Sequence, residues 1–173
     1  MKIKRKFNNV PNKSYNVDGK IIWDSRSVAV VACILADYHD ELYILIGQRG
    51  TGVPDSVGKY NLVCGYMDKY ENGRDAVERE VYEETGLDLS EWDIIQNDLD
   101  EPWSVNTEPT ENRQNIVLRY GCVIKVHKLP ELTSEYSEPN EVSDLRWIKY
   151  QDIDNYDWAF NHDIIIRKYF QRL

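Results

Sequence analysis

Residues 65–87 read GYMDKYENGRDAVEREVYEETGL, a glycine-led loop followed by a strongly charged helix. The loop is predicted over Gly65–Glu71 and the helix over about Gly73–Thr85. Asn72 is a favourable N-cap residue, and Gly86 stands where helices commonly end in a left-handed residue. This loop–helix unit decides the fold, because the segments around it must supply a sheet on which the helix packs.

Three glutamates lie on one side of this helix. Glu80, Glu83 and Glu84 stand at positions i, i+3 and i+4, which places them within an arc of roughly 100°. Like charges at this spacing destabilise an isolated helix, so a counter-charge is expected nearby. A hard divalent cation, bound by oxygen ligands, supplies one. A run of charges is usually a solvated helix face, and a cation site is the alternative interpretation.

Apolar segments before and after the helix predict a mixed β-sheet. Val28–Ala36 is a near-continuous apolar run with β-branched residues, typical of a buried strand, and Leu42–Gln48 returns as its hairpin partner. Further strands are predicted at Tyr60–Gly65, Glu91–Gln96, Gln114–Val126 and Ser143–Ile148, loops at Arg49–Gly58, Asn97–Asn112 and Pro130–Pro139, and a last helix at Asn161–Gln171. Strands on both sides of a helix indicate an α/β fold in which helices sandwich the sheet.

Composition predicts one globular domain. The chain has 173 residues, of which 42% are hydrophobic and 29% charged. Residues 1–25 are interpreted as an N-terminal arm or edge strand and residues 26–173 as the domain. The longest apolar run is shorter than the roughly 20 residues that span a bilayer, and the start MKIKRKFNNV lacks the apolar stretch of a signal peptide. A cytoplasmic protein with no membrane partner is therefore expected.

Charge and cysteine content exclude two further classes of function. The net charge of −9 argues against a groove for a nucleic-acid backbone. Cys33, Cys64 and Cys122 lie in apolar, strand-like stretches without a CxxC pair, which predicts buried reduced thiols rather than a zinc site.

The stretch Gly65–Leu87 matches every fixed position of the Nudix box, so the chain resembles the Nudix hydrolases. The resemblance implies an α/β/α sandwich with a mixed sheet, in agreement with the fold expected from the flanking segments. It also implies Mg²⁺ or Mn²⁺ as cofactor and a small-molecule nucleotide as substrate. The implied reaction is hydrolysis of a pyrophosphate bond in a nucleoside diphosphate linked to another moiety. Many relatives form dimers, so a homodimer is possible.

The resemblance assigns roles within the box. Glu83, Glu84 and the main-chain carbonyl of Gly65 are implied metal ligands. Glu80 is either a further ligand or the base that takes a proton from water, and the sequence leaves both roles open. Arg79 is implied to position the site, in a pair with Glu71 that fixes the loop to the helix. The implied catalytic residues are Glu80, Glu83, Glu84 and Arg79, the metal ligands Gly65, Glu80, Glu83 and Glu84, and the structural residues Glu71 and Gly86.

Further residues, most of them outside the box, are candidates for substrate binding or for an additional catalytic acid. These are Arg49, Tyr66, Trp103, Glu111 and Glu141, with Glu138, Arg113 and Arg119 as further candidates. The aromatic side chains offer stacking surfaces for a nucleobase. The arginines offer charge for phosphates, although Arg119, within a strand, is also compatible with a solvent-facing position.

Two short segments favour ADP-ribose-like substrates. Nudix enzymes that act on ADP-ribose often carry a proline where this chain has Pro102. The stretch Ala159–Asp163 also resembles Nudix proteins of the ADP-ribose and nicotinamide-nucleotide kind. The alternatives are a hydrolase of nucleoside triphosphates or dinucleoside polyphosphates, a Nudix-fold sensor that binds a nucleotide sugar without cleaving it, and an RNA pyrophosphohydrolase. An isopentenyl diphosphate isomerase, in which Cys64 would be catalytic, is a remoter alternative.

Overall fold

The computed structural model describes residues 11–110 and 113–173. Within them the chain forms an eight-stranded sheet, a separate two-stranded sheet and two α-helices. The strands are β1 Lys13–Val17, β2 Lys20–Asp24, β3 Val28–Tyr38, β4 Glu41–Arg49, β5 Tyr60–Asn61, β6 Val63–Tyr66, β7 Asp93–Asp98, β8 Ser104–Asn106, β9 Ile116–Val126 and β10 Val142–Lys149. The helices are α1 Gly73–Thr85 and α2 His162–Phe170, and 3₁₀ turns occur at Leu89–Glu91 and Tyr150–Asn155.

The large sheet is mixed and is built around one parallel pair. Its order is β10-β4-β3-β9-β7, with β5 beside β4, β6 beside β3 and β8 beside β9. Strand β3 runs parallel to β9 from Val28 opposite Ile116 to Tyr38 opposite Val126, and the other pairings are antiparallel. This sheet, with a helix on each face, confirms the expected α/β/α sandwich.

Strand β3 separates two hydrophobic cores because its side chains alternate between the faces of the sheet. The α1 core contains Val30, Ala32 and Ile34 of β3 with Ala76, Val77 and Val81 of the helix. The α2 core contains Val31, Cys33 and Leu35 of β3 with Ile165, Ile166 and Tyr169. Because both faces are covered, β3 is a continuous apolar run rather than an alternating one.

Helix α1 has the bounds that the sequence predicts. The Asn72 side chain accepts a hydrogen bond from the Asp75 backbone N–H at 3.0 Å and thereby caps the first turn. At the other end Gly86 has φ 71°, and its N–H donates to the Tyr82 carbonyl at 2.8 Å. Both caps are local, which explains why the sequence alone located them.

Three details differ from the sequence-based expectations. The predicted loop over 97–112 contains β8, a short strand that pairs with β9. The side chain of Asn161 makes no capping hydrogen bond, because this residue is in the left-handed region with φ 58°. Arg119 is half-buried rather than solvent-facing, and one of its guanidinium nitrogens donates to the Ser104 hydroxyl at 3.2 Å.

The N-terminal hairpin β1–β2 is the least buried part of the described chain. Every residue in both strands is exposed, including Tyr15, Ile21, Ile22 and Trp23. The three cysteines are unpaired thiols, and burial raises the pKa of Cys64 and of Cys122 to about 12. Among the residues described, no helix combines the length and apolar character needed to cross a membrane.

Candidate functional site

Strand β6 and helix α1 bring Gly65 against the side chain of Glu80. A Cβ atom placed on Gly65 would lie 2.1 Å from Glu80 Oε1 and 2.5 Å from Oε2. Any side chain at position 65 would therefore occupy the space that the carboxylate now fills. Glycine at this position therefore lets the Glu80 carboxylate lie against the backbone of β6.

Arg79 holds the loop and the helix together. Its Nε and Nη2 atoms donate to the two carboxylate oxygens of Glu71 at 3.0 and 2.8 Å, and Nη2 also donates to the Tyr66 carbonyl at 3.0 Å. Nη1 donates at 2.9 Å both to Glu80 Oε1 and to Glu83 Oε2. The pairing with Glu71 expected from the sequence is present, and the Arg79 guanidinium holds the pKa of Glu71 below its ordinary value.

Glu80 and Glu84 are neighbouring carboxyl groups taken out of water. Their residues are only 8% and 5% exposed, and the Cys64 N–H donates to Glu84 Oε1 at 3.4 Å. Burial raises the pKa of Glu80 to about 7, with Arg79 opposing the rise. Burial and then repulsion from Glu80 raise the pKa of Glu84 well above its ordinary value. Ionised together, these groups repel each other and favour a cation between them.

Glu141 approaches these two carboxyl groups from another loop. Its charge raises the pKa of both Glu80 and Glu84. The Gly50 N–H donates to the Glu141 carbonyl at 2.7 Å, and a Cβ on Gly50 would lie 2.0 Å from the Asn140 carbonyl oxygen. Close backbone contact between the two loops therefore sets the position of Glu141.

The donor chemistry of the site fits a hard divalent cation. Carboxylate and carbonyl oxygens are the ligands that Mg²⁺ and Mn²⁺ prefer. Arg79 takes one oxygen of Glu80 and one of Glu83, whereas no salt bridge of the described residues involves Glu84. Within the described part of the chain, no three acidic, histidine or cysteine side chains are already grouped around an ion-sized space. Binding an ion would therefore require these carboxylates to rearrange.

The candidates outside the box separate into two groups. Arg49 lies near the site, since its charge opposes the rise in the pKa of Glu84. Tyr66, the second residue of the box, is 56% exposed and is available for stacking. Trp103 instead belongs to the α2 core, where its ring packs against Tyr169 and its Nε1 donates to the Tyr120 carbonyl at 3.1 Å.

Two further acidic candidates are Glu111 and Glu138. Glu111 lies outside the described residues. The structure shows only a main-chain role for Glu138, whose carbonyl accepts from the Glu141 N–H at 3.1 Å.

Asp55, Phe160 and His162 were not selected individually from the sequence. The Asp55 carboxylate accepts from Arg49 and from Arg113, and both guanidinium groups lie over the Phe160 ring. His162 is buried, and its Nδ1 accepts from the Leu62 N–H at 2.9 Å. An aspartate in a glycine-rich loop carries no sequence signal of its own, because its partners come from distant segments.

Comparisons with known proteins identify the family and the fold. The model of the NUDIX domain matches residues 26–170. A comparison with curated proteins gave no significant match. Solved structures that resemble the chain include the NUDIX domain of Shewanella oneidensis NrtR complexed with ADP ribose, with a TM-score of 0.66 at 18% identity over 86% of this chain and 89% of that one.

Two further similar structures come from other organisms. A C. elegans Ap4A hydrolase has a TM-score of 0.61 at 15% identity, over 84% of this chain and 96% of that one. A bifunctional NMN adenylyltransferase/ADP ribose pyrophosphatase from Francisella tularensis, complexed with AMP and a Mn ion, has a TM-score of 0.63 at 19% identity, over 85% of this chain and 42% of that one. At these identities the similarity is one of fold.

Proposed function

This chain belongs to the NUDIX domain family, and we propose that it is a divalent-cation-dependent hydrolase of a pyrophosphate bond. The observation that supports this proposal is the pair of buried carboxyl groups, Glu80 and Glu84, against the glycine backbone at Gly65. Burying two like charges is unfavourable unless a cation compensates them. A phosphate-cleaving site needs cations in the same place, because its substrate is also negatively charged.

We assign the cation to Glu84, Glu80, Glu83 and the Gly65 carbonyl. When bound, Mg²⁺ or Mn²⁺ neutralises phosphate charge and lowers the pKa of a coordinated water. Arg79 links the loop to the helix through its bonds to Glu71, and it also hydrogen-bonds to the carboxylates of Glu80 and Glu83. The role of Arg79 is therefore positional.

The carboxyl groups differ in their surroundings. Burial raises the pKa of Glu80 to about 7, so the alternative role for Glu80, in place of a ligand, is that of the base. Glu84 makes no salt bridge in the described structure and is suited to remain a ligand. Glu141, held by Gly50, adds a third negative charge from outside the box and is the additional acid of the site.

We propose an ADP-ribose-like substrate, cleaved to a nucleoside monophosphate and a phosphorylated partner. Two structures of the same fold support this choice, one complexed with ADP ribose and one named as an ADP ribose pyrophosphatase. Arg49, beside the buried carboxyl groups, supplies positive charge for phosphates. The Ap4A hydrolase of the same fold makes a dinucleoside polyphosphate the second substrate class to test.

The test is a product assay with ADP-ribose, Ap4A, NADH, a nucleoside triphosphate and a 5′-triphosphate RNA, each with Mg²⁺, with Mn²⁺ and with EDTA. We expect AMP and ribose 5-phosphate from ADP-ribose, loss of activity in EDTA, and a fall of at least about 1000-fold in kcat for Glu84→Gln. Circular dichroism and urea unfolding of Glu84→Gln report whether the fold is retained.

Other outcomes of this assay would support the alternative functions. Binding of ADP-ribose without cleavage would indicate a nucleotide-sugar sensor, and cleavage of only another substrate would replace ADP-ribose. Unchanged turnover in EDTA or in Glu84→Gln would refute the cation-dependent mechanism.

A further inference from the structure

Two arginines converge on one carboxylate beside the candidate active site. Arg49 Nη2 lies 3.2 Å from Asp55 Oδ1, and Arg49 Nε donates to the Asp55 carbonyl at 3.1 Å. Arg113 donates to the other carboxylate oxygen, Oδ2. The two oxygens of Asp55 therefore each face a different guanidinium, an arrangement that also suits two oxygens of a phosphate group.

An aromatic ring supports the same two arginines. The guanidinium carbons of Arg49 and Arg113 lie 4.8 and 4.2 Å from the centre of the Phe160 ring. Phe160 has φ 58° and Asn161 also has φ 58°, so the backbone is left-handed at two successive residues that are not glycine. This unfavourable conformation persists only when surrounding contacts require it, and it presents the ring to both cations.

Two arginines lie near one carboxylate, Asp55, and three lie near one buried imidazole, His162. Asp55 supplies one carboxylate for two guanidiniums. Arg119, Arg49 and Arg113, after burial itself, all lower the pKa of His162, so three cations act on one buried imidazole. With two guanidiniums on one carboxylate, the region can accept a further anion although the chain has a net charge of −9.

The location connects this cationic region to the buried carboxyl groups. Arg49 ends β4, and the next residue, Gly50, bonds to the Glu141 carbonyl at 2.7 Å. The charge of Arg49 also acts on Glu84. A pyrophosphate with one phosphate at the carboxyl groups would thus carry its other phosphate toward the arginines.

We propose that Arg49, Arg113 and Phe160 form an anion subsite and that Asp55 occupies it in the ligand-free protein. The subsite takes a phosphate group, and the Asp55 carboxylate is displaced when that group binds. Asp55 lies in the loop 50–58, where its side chain is 45% exposed, so it is accessible for exchange with solvent anions. The inference rests on the proposed function only for the origin of the phosphate, namely the substrate.

The test is a binding titration in EDTA, with inorganic phosphate and ribose 5-phosphate as probes, followed through the arginine side-chain NMR signals. Without a cation the buried carboxylates repel phosphate, so binding in EDTA isolates the arginines. We expect Asp55→Asn to lower the Kd about two- to fivefold, because it removes an exposed ion pair that competes with the ligand. We expect Arg113→Gln to raise the Kd about tenfold through loss of a charge-assisted bond, and Arg113→Lys to raise it less.

Matched controls use the Arg167–Asp154 pair, whose atoms lie 2.6 Å apart on the surface. Asp154→Asn and Arg167→Gln make the same changes of charge and should leave both Kd values within twofold. An unchanged or higher Kd in Asp55→Asn would refute the displacement, and an unchanged Kd in Arg113→Gln would refute the subsite.

The two proposals fail in different ways. Phosphate binding that responds to Asp55 and Arg113, in a protein that cleaves no pyrophosphate, would support the subsite and refute the hydrolase. Cleavage of ADP-ribose with phosphate binding that ignores both residues would do the reverse. A response to ribose 5-phosphate but not to inorganic phosphate would overturn the assignment of the subsite to phosphate alone.

Discussion

Replacing Glu80 by glutamine should stabilise the cation-free protein while it removes activity. The Glu80 residue is 8% exposed, and its Oε1 accepts from Arg79 Nη1 at 2.9 Å. Glutamine keeps an oxygen that can accept this bond but never carries a negative charge. The variant therefore separates the unfavourable burial of charge from the packing and hydrogen bonding of the same side chain.

The magnitude follows from the pKa of Glu80. Burial raises it from the ordinary 4.5 to about 7, and one pKa unit corresponds to about 1.4 kcal/mol. Because the folded protein binds this proton more tightly than the unfolded chain, the proton-linked stability is fully present below pH 4.5. It is lost as the pH rises from 4.5 through 7 and amounts to about 3 kcal/mol. Glu80→Gln should thus match the parent protein near pH 4 and exceed it by about 3 kcal/mol at pH 8.

Urea unfolding in EDTA at pH 4, 6 and 8 measures this difference. Glu78→Gln is the matched control, because Glu78 lies on the same helix, pairs with Arg74 and has a side chain that is 39% exposed. The control should change stability by less than about 0.5 kcal/mol at every pH. A difference between Glu80→Gln and the parent that does not grow with pH would contradict the assigned burial. Loss of activity in Glu80→Gln is expected alongside, measured by AMP release.

Three other substitutions test separate features. The pKa of His162 is lowered to about 3, mainly by burial, so the free energy of unfolding should fall by about 1.4 kcal/mol per pH unit below about pH 6.5. In urea unfolding, His162→Gln should flatten this dependence on pH. Equal slopes in the variant and the parent would refute a role for His162 in acid destabilisation. Gly50→Ala would force a Cβ against the neighbouring loop and displace Glu141, so kcat should fall about tenfold or more; a kcat within twofold of the parent would exclude this positioning. Asn72→Ala removes the cap bond to the Asp75 N–H and should destabilise by about 1 kcal/mol, whereas an unchanged urea midpoint would show that the cap is dispensable.

The parts of the fold predicted correctly from sequence are those fixed by local interactions. The start and end of α1 depend on Asn72 and Gly86, which act within a few residues of themselves. The buried strand β3 is recognised because both of its faces are apolar. Strand β8 was missed because its polar residues gain their order only by pairing with β9, a contact between segments separated by a loop.

The candidate site also has one part that the sequence predicts and one part that only the structure reveals. The box residues are identified by the resemblance of one loop and one helix to the Nudix box, and the Arg79–Glu71 pair that the resemblance implies is present. The anion subsite joins residues from β4, the loop 50–58, the segment before β9 and the turn before α2. Only the three-dimensional structure brings Asp55 and Phe160 to the same arginines.

The parallel alignment of β3 with β9 also governs the order in which this molecule folds. Helix α1 lies in the segment between these two strands, and that segment must close into a long loop before the strands meet. Loop closure reduces chain entropy before any long-range contact compensates for it, which slows the folding of such topologies. The glutamates of α1 precede β9 in the chain and Glu141 follows it, so we expect any hydrolytic activity to return to a refolding chain together with the global structure rather than ahead of it.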